Sequence, residues 1–120
     1  MKKILVIEDS IDMRENIIDM LNEYGYSTFE ADNGLSGLAR AKEVKPDLII
    51  ADIMMPGMDG FELLEALKKD NHTFSIPFIF LSAKAADSDI KRSLKTDADL
   101  YITKPFKMNE LLSHISDILI

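Results

Sequence analysis

Six polar or charged residues in this chain stand where short apolar runs stop. KKILVIEDS ends on adjacent Glu8 and Asp9, LIIAD on Asp52, PFIFLS on Ser82 and DLYITKP on Thr103 and Lys104. Singly, each has a bland reading: Asp9 or Ser10 as the cap of a following helix, the others as solvated loop residues. Taken as a set they do not. Carboxylates brought within about 4 Å of one another repel by about 4 kcal/mol per pair at an effective dielectric near 20. Such a cluster holds together only with cations or with shifted pKa values. Lys104 supplies one positive charge. A hard divalent ion with oxygen ligands supplies the rest, and Mg²⁺ is the ion that accepts few protein ligands and keeps several waters. The acid pair Glu8–Asp9 therefore reads as half of a metal site.

The elements that must position these groups are legible as alternating apolar runs and helical periods. Ile4 to Ile7 reads as a strand, and Met13, Ile17, Leu21 and Tyr24 as one face of a helix closed by Gly25. Phe29 to Ala31 is a second strand, and Leu35, Leu38 and Ala41 stripe a helix that stops before Pro46. Leu48 to Ala51 is a continuous apolar run of the kind buried on both faces, ending at Asp52. A helix with Phe61, Leu64 and Leu67 follows, then a strand from Phe78 to Leu81 and a thin helix with Ile90 and Leu94. Leu100 to Thr103 gives a fifth strand, and Met108, Leu111, Leu112, Ile115 and Leu119 a final helix. Five βα units in succession imply an α/β fold with a parallel sheet, whose ligand site lies at the C-terminal strand ends.

Composition narrows the function. The 120 residues, 47% hydrophobic and 29% charged, suit one domain over residues 1–120. A net charge of -7 disfavours direct nucleic acid binding and anionic membrane surfaces. With no cysteine there is no disulfide, thiolate metal site or cysteine nucleophile, which fits a reducing compartment. No stretch approaches the roughly 20 apolar residues of a membrane span. The chain reads as soluble and cytoplasmic.

Together VIEDS, LIIADIMMPGMDGFELL, PFIFLSAKA and DLYITKPF, in this order and spacing, resemble the receiver domain of two-component response regulators over the whole chain. The resemblance implies a flavodoxin-like five-stranded parallel sheet of order 2-1-3-4-5, with helices on both faces. It implies Asp52 as the phosphoacceptor from a histidine kinase, Asp9 as a direct Mg²⁺ ligand, Glu8 holding the ion through water, and the Met54 backbone carbonyl as a further ligand. Lys104 would pair with the phosphoryl oxygens, Ser82 would hydrogen-bond to one of them, and Tyr101 would change rotamer on activation. A cis bond between Lys104 and Pro105 is implied as well, although an X–Pro amide admits either isomer. Partners would be a sensor histidine kinase or phosphotransfer protein, and an output domain or downstream protein. A homodimer could form through the face of the fourth helix, fifth strand and fifth helix, with its mixed charges Lys91, Arg92, Lys95, Asp97 and Asp99. Such a domain is a switch that catalyses only its own phosphorylation and dephosphorylation. The chemistry agrees: an aspartate carboxylate is a known covalent nucleophile, and phosphoryl transfer needs chiefly positioning and charge neutralisation.

Rival readings fare worse. A flavin phosphate would meet two acids after the first strand, and the five glycines never make the dinucleotide spacing. An aspartyl phosphatase would carry its nucleophile on the first strand. The alternative that survives is a degenerate receiver, acting unphosphorylated as an interaction module. Met54, Met55 and Met58 read as cover for a core edge rather than a soft-metal box. His72 and His114 read as neither base nor ligand, and Gly57 and Gly60 as turn chemistry. Met54 and Lys84, two residues beyond Asp52 and Ser82, flank the hydrolytic water in the resemblance. The family's glycine before the fifth strand is replaced by Asp97, in Asp97-Ala98-Asp99.

Overall fold

The computed structural model describes residues 1–82 and 98–119. Five parallel strands form one sheet of order β2-β1-β3-β4-β5: β1 Lys3–Ile7, β2 Ser27–Ala31, β3 Leu48–Asp52, β4 Phe78–Ser82 and β5 Leu100–Thr103. Helices α1 Ile11–Glu23, α2 Gly34–Val44 and α3 Gly60–Lys68 connect the first strands, and a C-terminal helix spans Met108–Ile118. The order and the parallel pairing are those the resemblance implies. The thin helix expected around Ile90 and Leu94 lies outside the described residues, as do Lys84, Lys91, Arg92, Lys95 and Asp97.

β1, β3 and β4 read as nearly unbroken apolar runs because both faces of the sheet are covered there. Leu5, Ile7, Ile49, Ala51, Phe78 and Phe80 point to the side of α2 and α3, where Ala41, Phe61 and Leu64 join them. Ile4, Val6, Leu48, Ile50, Ile79, Leu81 and Ile102 point to the opposite side, against Ile17 and Leu21 of α1 and Leu111 and Ile115 of the C-terminal helix. α1, α2 and α3 each start where a side chain satisfies open N–H groups, whereas the C-terminal helix starts after Lys107 with no side-chain cap. Ser10 caps α1, accepting from Met13 N, and Asn33 caps α2, accepting from Ser36 N at 2.8 Å. Asp59 and Glu62 form a reciprocal capping box at α3. Gly25, at φ +87, carries the chain out of α1 as expected.

Two apolar residues fall on the wrong side of the expected stripes. Tyr24 and Leu35 are 63% and 67% exposed. The buried face of α2 is instead Gly34, Gly37 and Ala41. A Cβ on Gly37 would lie 2.6 Å from Ile7 Cδ1, and one on Gly34 would lie 2.6 Å from the Met58 carbonyl oxygen, so α2 packs through its smallest residues.

At the N-terminal edge of the sheet two aspartates staple neighbouring strands. Asp47 donates its N–H to Lys3 O at 2.8 Å and accepts Lys3 N on Oδ2 at 2.8 Å. Asp99 does the same with Phe78, at 2.9 and 2.8 Å. Asp99, expected among the charges of a readout face, thus has its carboxylate engaged by a strand N–H.

Candidate functional site

The register builds the site. Ile7, Ala51, Phe80 and Tyr101 lie side by side across β1, β3, β4 and β5. One residue further along, Glu8 follows Ile7 and Asp52 follows Ala51, so two runs that end in acids deliver them to adjacent places. Ser82 stands opposite Thr103, and Lys104 N donates to Ser82 O, which brings the lysine round to the same edge. The Lys104–Pro105 bond is cis.

Glu8, Asp9 and Asp52 each offer a carboxylate oxygen, and these oxygens lie within 4.8 Å of one another. Glu8 is 1% exposed and Asp52 6%, whereas Asp9 is open to solvent. Lys104 Nζ sits 2.8 Å from Glu8 Oε1 and 3.4 Å from Asp52 Oδ2. Burial works against its charge, but the bond to Glu8 and the charge of Asp52 outweigh that and hold its pKa above the ordinary lysine value. Asp9 is pushed above the usual carboxylate value by what burial it has, then by its hydrogen bond to Glu8 and that neighbour's charge; its own backbone N–H and Lys104 pull only partly the other way. Among the described residues one ammonium faces three carboxylates, an excess of two negative charges that one divalent cation would match.

The residues fit Mg²⁺ on a second count. Asp52 Oδ1 is buried and has no hydrogen-bond partner among the described residues. A buried carboxylate oxygen without a donor is costly unless a cation faces it. The donor set is all oxygen, the preference of a hard ion.

Of the expected site residues, the structure gathers Glu8, Asp9, Asp52 and Lys104 by direct geometry and places Ser82 on the neighbouring strand, 2% exposed. Tyr101 is half-buried on the α2–α3 side, and its hydroxyl is buried without a partner among the described residues. The Met54 side chain is 66% exposed, so the core-edge reading holds for Met55 and Met58 but not for Met54. Ser10, not Asp9, caps α1, which leaves the Asp9 carboxylate to the cluster.

Two residues near the site escaped the sequence reading. Gly60 reads in the sequence as turn chemistry, but a Cβ there would lie 2.7 Å from Asp52 O and 2.9 Å from Ile53 Cα. Only glycine lets α3 begin against the end of β3. Arg14 reaches across the turn after β1, donating from Nη1 to Glu8 O at 2.7 Å and from Nε to Glu30 Oε1 at 2.9 Å. No motif marked it; its place three residues into α1 is the only sequence hint.

The family model for the response regulator receiver domain matches residues 4–116. The chain is 41% identical over 118 residues to the phosphate regulon transcriptional regulatory protein PhoB of Pseudomonas aeruginosa, covering 98% of this chain and 52% of PhoB. It is 35% identical over 119 residues to the protein PilH of the same species, covering 99% of this chain and 98% of PilH. The chain thus spans about half the length of PhoB-type relatives. The signal receiver domain of a histidine kinase from Syntrophus aciditrophicus superposes with a TM-score of 0.93 at 39% identity, covering 99% of this chain and 90% of that one. The receiver domain of the sensor histidine kinase PA1611 from Pseudomonas aeruginosa, which has a magnesium ion in its active site cleft, superposes at 0.91 with 26% identity, covering 98% and 97%. Among the described residues no helix is long and apolar enough to cross a membrane.

Proposed function

This chain belongs to the response regulator receiver family, and from that premise we propose that residues 1–120 form one phosphorylation switch with Asp52 as its acceptor. The observation that carries the reading is Asp52 itself: it ends the central strand, is buried, and holds one carboxylate oxygen without a hydrogen-bond partner among the described residues, beside two further acids. Glu8, Asp9, Asp52 and the Met54 backbone carbonyl would hold Mg²⁺, which when bound supplies positive charge against the oxygens of the transferring group. The magnesium in the PA1611 receiver supports this assignment.

In the proposed reaction an Asp52 carboxylate oxygen attacks the phosphorus of a phosphohistidine on a sensor histidine kinase or phosphotransfer protein. The P–N bond breaks, its electron pair stays on the imidazole nitrogen, and an acyl phosphate forms on Asp52. Water later cleaves it, so the domain catalyses only its own phosphorylation and dephosphorylation. Lys104, already between Glu8 and Asp52, shifts its donors to the phosphoryl oxygens, because charge-assisted bonds are the stronger ones. The Ser82 hydroxyl bonds another of these oxygens, and Tyr101 turns into the space Ser82 leaves. The changed surface around β5 and the C-terminal helix then alters affinity for an output domain, a downstream protein or a second copy. With its net charge of -7 this domain does not itself engage nucleic acid, and the kinase it meets is cytoplasmic.

Incubation with Mg²⁺ and acetyl phosphate, followed by intact mass, tests the reading. Wild type gains one phosphoryl group, and Asp52→Asn, folded by amide spectrum, gains none. A folded wild type that gains nothing is the degenerate module instead; an Asp52→Asn chain that gains as much as wild type moves the acceptor elsewhere.

A further inference from the structure

We infer that Arg14 is a positioning residue for the acid pair, gripping the peptide that joins Glu8 to Asp9 and so aiming both carboxylates. The inference rests on the reading that these acids hold Mg²⁺.

The ladder of β1 ends at Glu8, whose N–H donates to Ala31 O at 3.1 Å. Beyond that bond the chain turns into α1, and few contacts fix it. Ser10 N donates to the Glu8 carboxylate at 3.2 Å, and the Arg14 backbone N–H donates to Ser10 O at 3.0 Å. The Glu8 carbonyl belongs to the peptide unit that begins Asp9, and Arg14 Nη1 holds it at 2.7 Å. Rotation of that unit would swing both acids at once. The guanidinium is itself anchored by Nε to Glu30 Oε1 on β2 at 2.9 Å, with the arginine side chain 13% exposed. One planar fork thereby ties helix, strand and turn together. A lysine ammonium could reach one of these oxygens but lacks the fork geometry to hold both. Arg14 also sets a positive charge behind an acid-rich turn. Removing groups that orient metal ligands in this way typically costs about 10–100-fold in metal affinity.

The test is the Mg²⁺ dissociation constant of the unphosphorylated chain by titration calorimetry, beside the urea midpoint without Mg²⁺, for Arg14→Gln, Arg14→Lys and Glu30→Gln. Arg14→Gln is expected to weaken Mg²⁺ binding about tenfold, with Arg14→Lys recovering part of the loss. Glu30→Gln, a change at a half-exposed side chain, should weaken it about two- to threefold, below the usual range because the Glu8 contact survives. A lower urea midpoint with unchanged Mg²⁺ affinity would make Arg14 a mere staple and overturn the inference. If Arg14→Gln does not fold, an unchanged constant in Glu30→Gln overturns it equally. Asp9→Asn separates the two levels. When wild type binds Mg²⁺ and Asp9→Asn does not, equal binding by the Arg14 variants sinks this inference alone; when wild type binds no Mg²⁺, the metal reading falls and this one with it.

Discussion

Aspartate and glutamate serve both edges of the sheet, to opposite ends. At the N-terminal edge Asp47 and Asp99 each meet a strand N–H at 2.8 Å, and each returns its own N–H to the same residue. Those carboxylates are paired one to one and stand apart. At the C-terminal edge Glu8, Asp9 and Asp52 crowd within 4.8 Å and, among the described residues, share one ammonium and leave Asp52 Oδ1 without a donor. The first arrangement closes the ladder and is complete in itself. The second leaves a buried oxygen open, which the proposed Mg²⁺ would fill. Residue type does not separate a structural acid from a functional one; counting its partners does.

That contrast breaks most visibly at Lys104. Lys104→Met leaves the Glu8 carboxylate, 1% exposed, without its counter-charge. Removing one partner of a buried pair costs roughly 3 kcal/mol, the lower end of the usual range because the lysine keeps some exposure. Urea unfolding at neutral pH should show the loss; a midpoint equal to wild type would mean that Glu8 is stabilised by other groups.

The opposite edge predicts a smaller and purely structural effect. Asp99→Ala removes the acceptor of Phe78 N–H, at about 1–2 kcal/mol. Phosphoryl uptake and Mg²⁺ affinity should not change, and a drop in either would tie the two edges together.

Asp9→Asn sharpens the comparison with the smallest effect and the opposite sign. Because Asp9 is raised above 3.8 by partial burial and by Glu8, the folded chain holds its proton more tightly than the unfolded chain does. That contribution is fully present below 3.8 and is lost as pH rises through the folded value, so the metal-free protein lacks it at pH 7. Asp9→Asn should therefore be more stable than wild type at pH 7 by roughly 0.5 kcal/mol, a modest figure for an exposed group, with the two converging in acid. Mg²⁺ should stabilise wild type and not the variant. A variant less stable than wild type at pH 7 would contradict the crowding.

Much of this was readable before any coordinates. A strand covered on both faces has no polar alternation to confuse it, so Leu48–Asp52 and Phe78–Ser82 announce themselves, and an acid or hydroxyl that stops such a run is conspicuous. The resemblance of four segments to one family then fixed the strand order. What escaped was packing without hydropathy. The buried stripe of α2 consists of Gly34, Gly37 and Ala41, which carry little apolar signal, so the exposed Leu35 drew the reading instead. Asp99 looked like surface charge because a single aspartate does not reveal whether an N–H awaits it across 21 residues. Arg14 and Gly60 act by reach and by absence of a side chain, and neither has a period.

Gly60 N–H donates to Ile53 O at 2.9 Å, so the loop Met54 to Asp59 is pinched shut at its neck. Met58 anchors its far side under Gly34, and the glycine allows no retreat from β3. The loop is therefore a gauge of set length. Insertions, which surface loops usually absorb at little cost, would here have to bulge between two pinned ends, and the chain just past Asp52 would carry the distortion. Variation in length among natural or engineered relatives should accordingly collect in other connections and spare this one, even though Met54, Pro56 and Gly57 all face solvent.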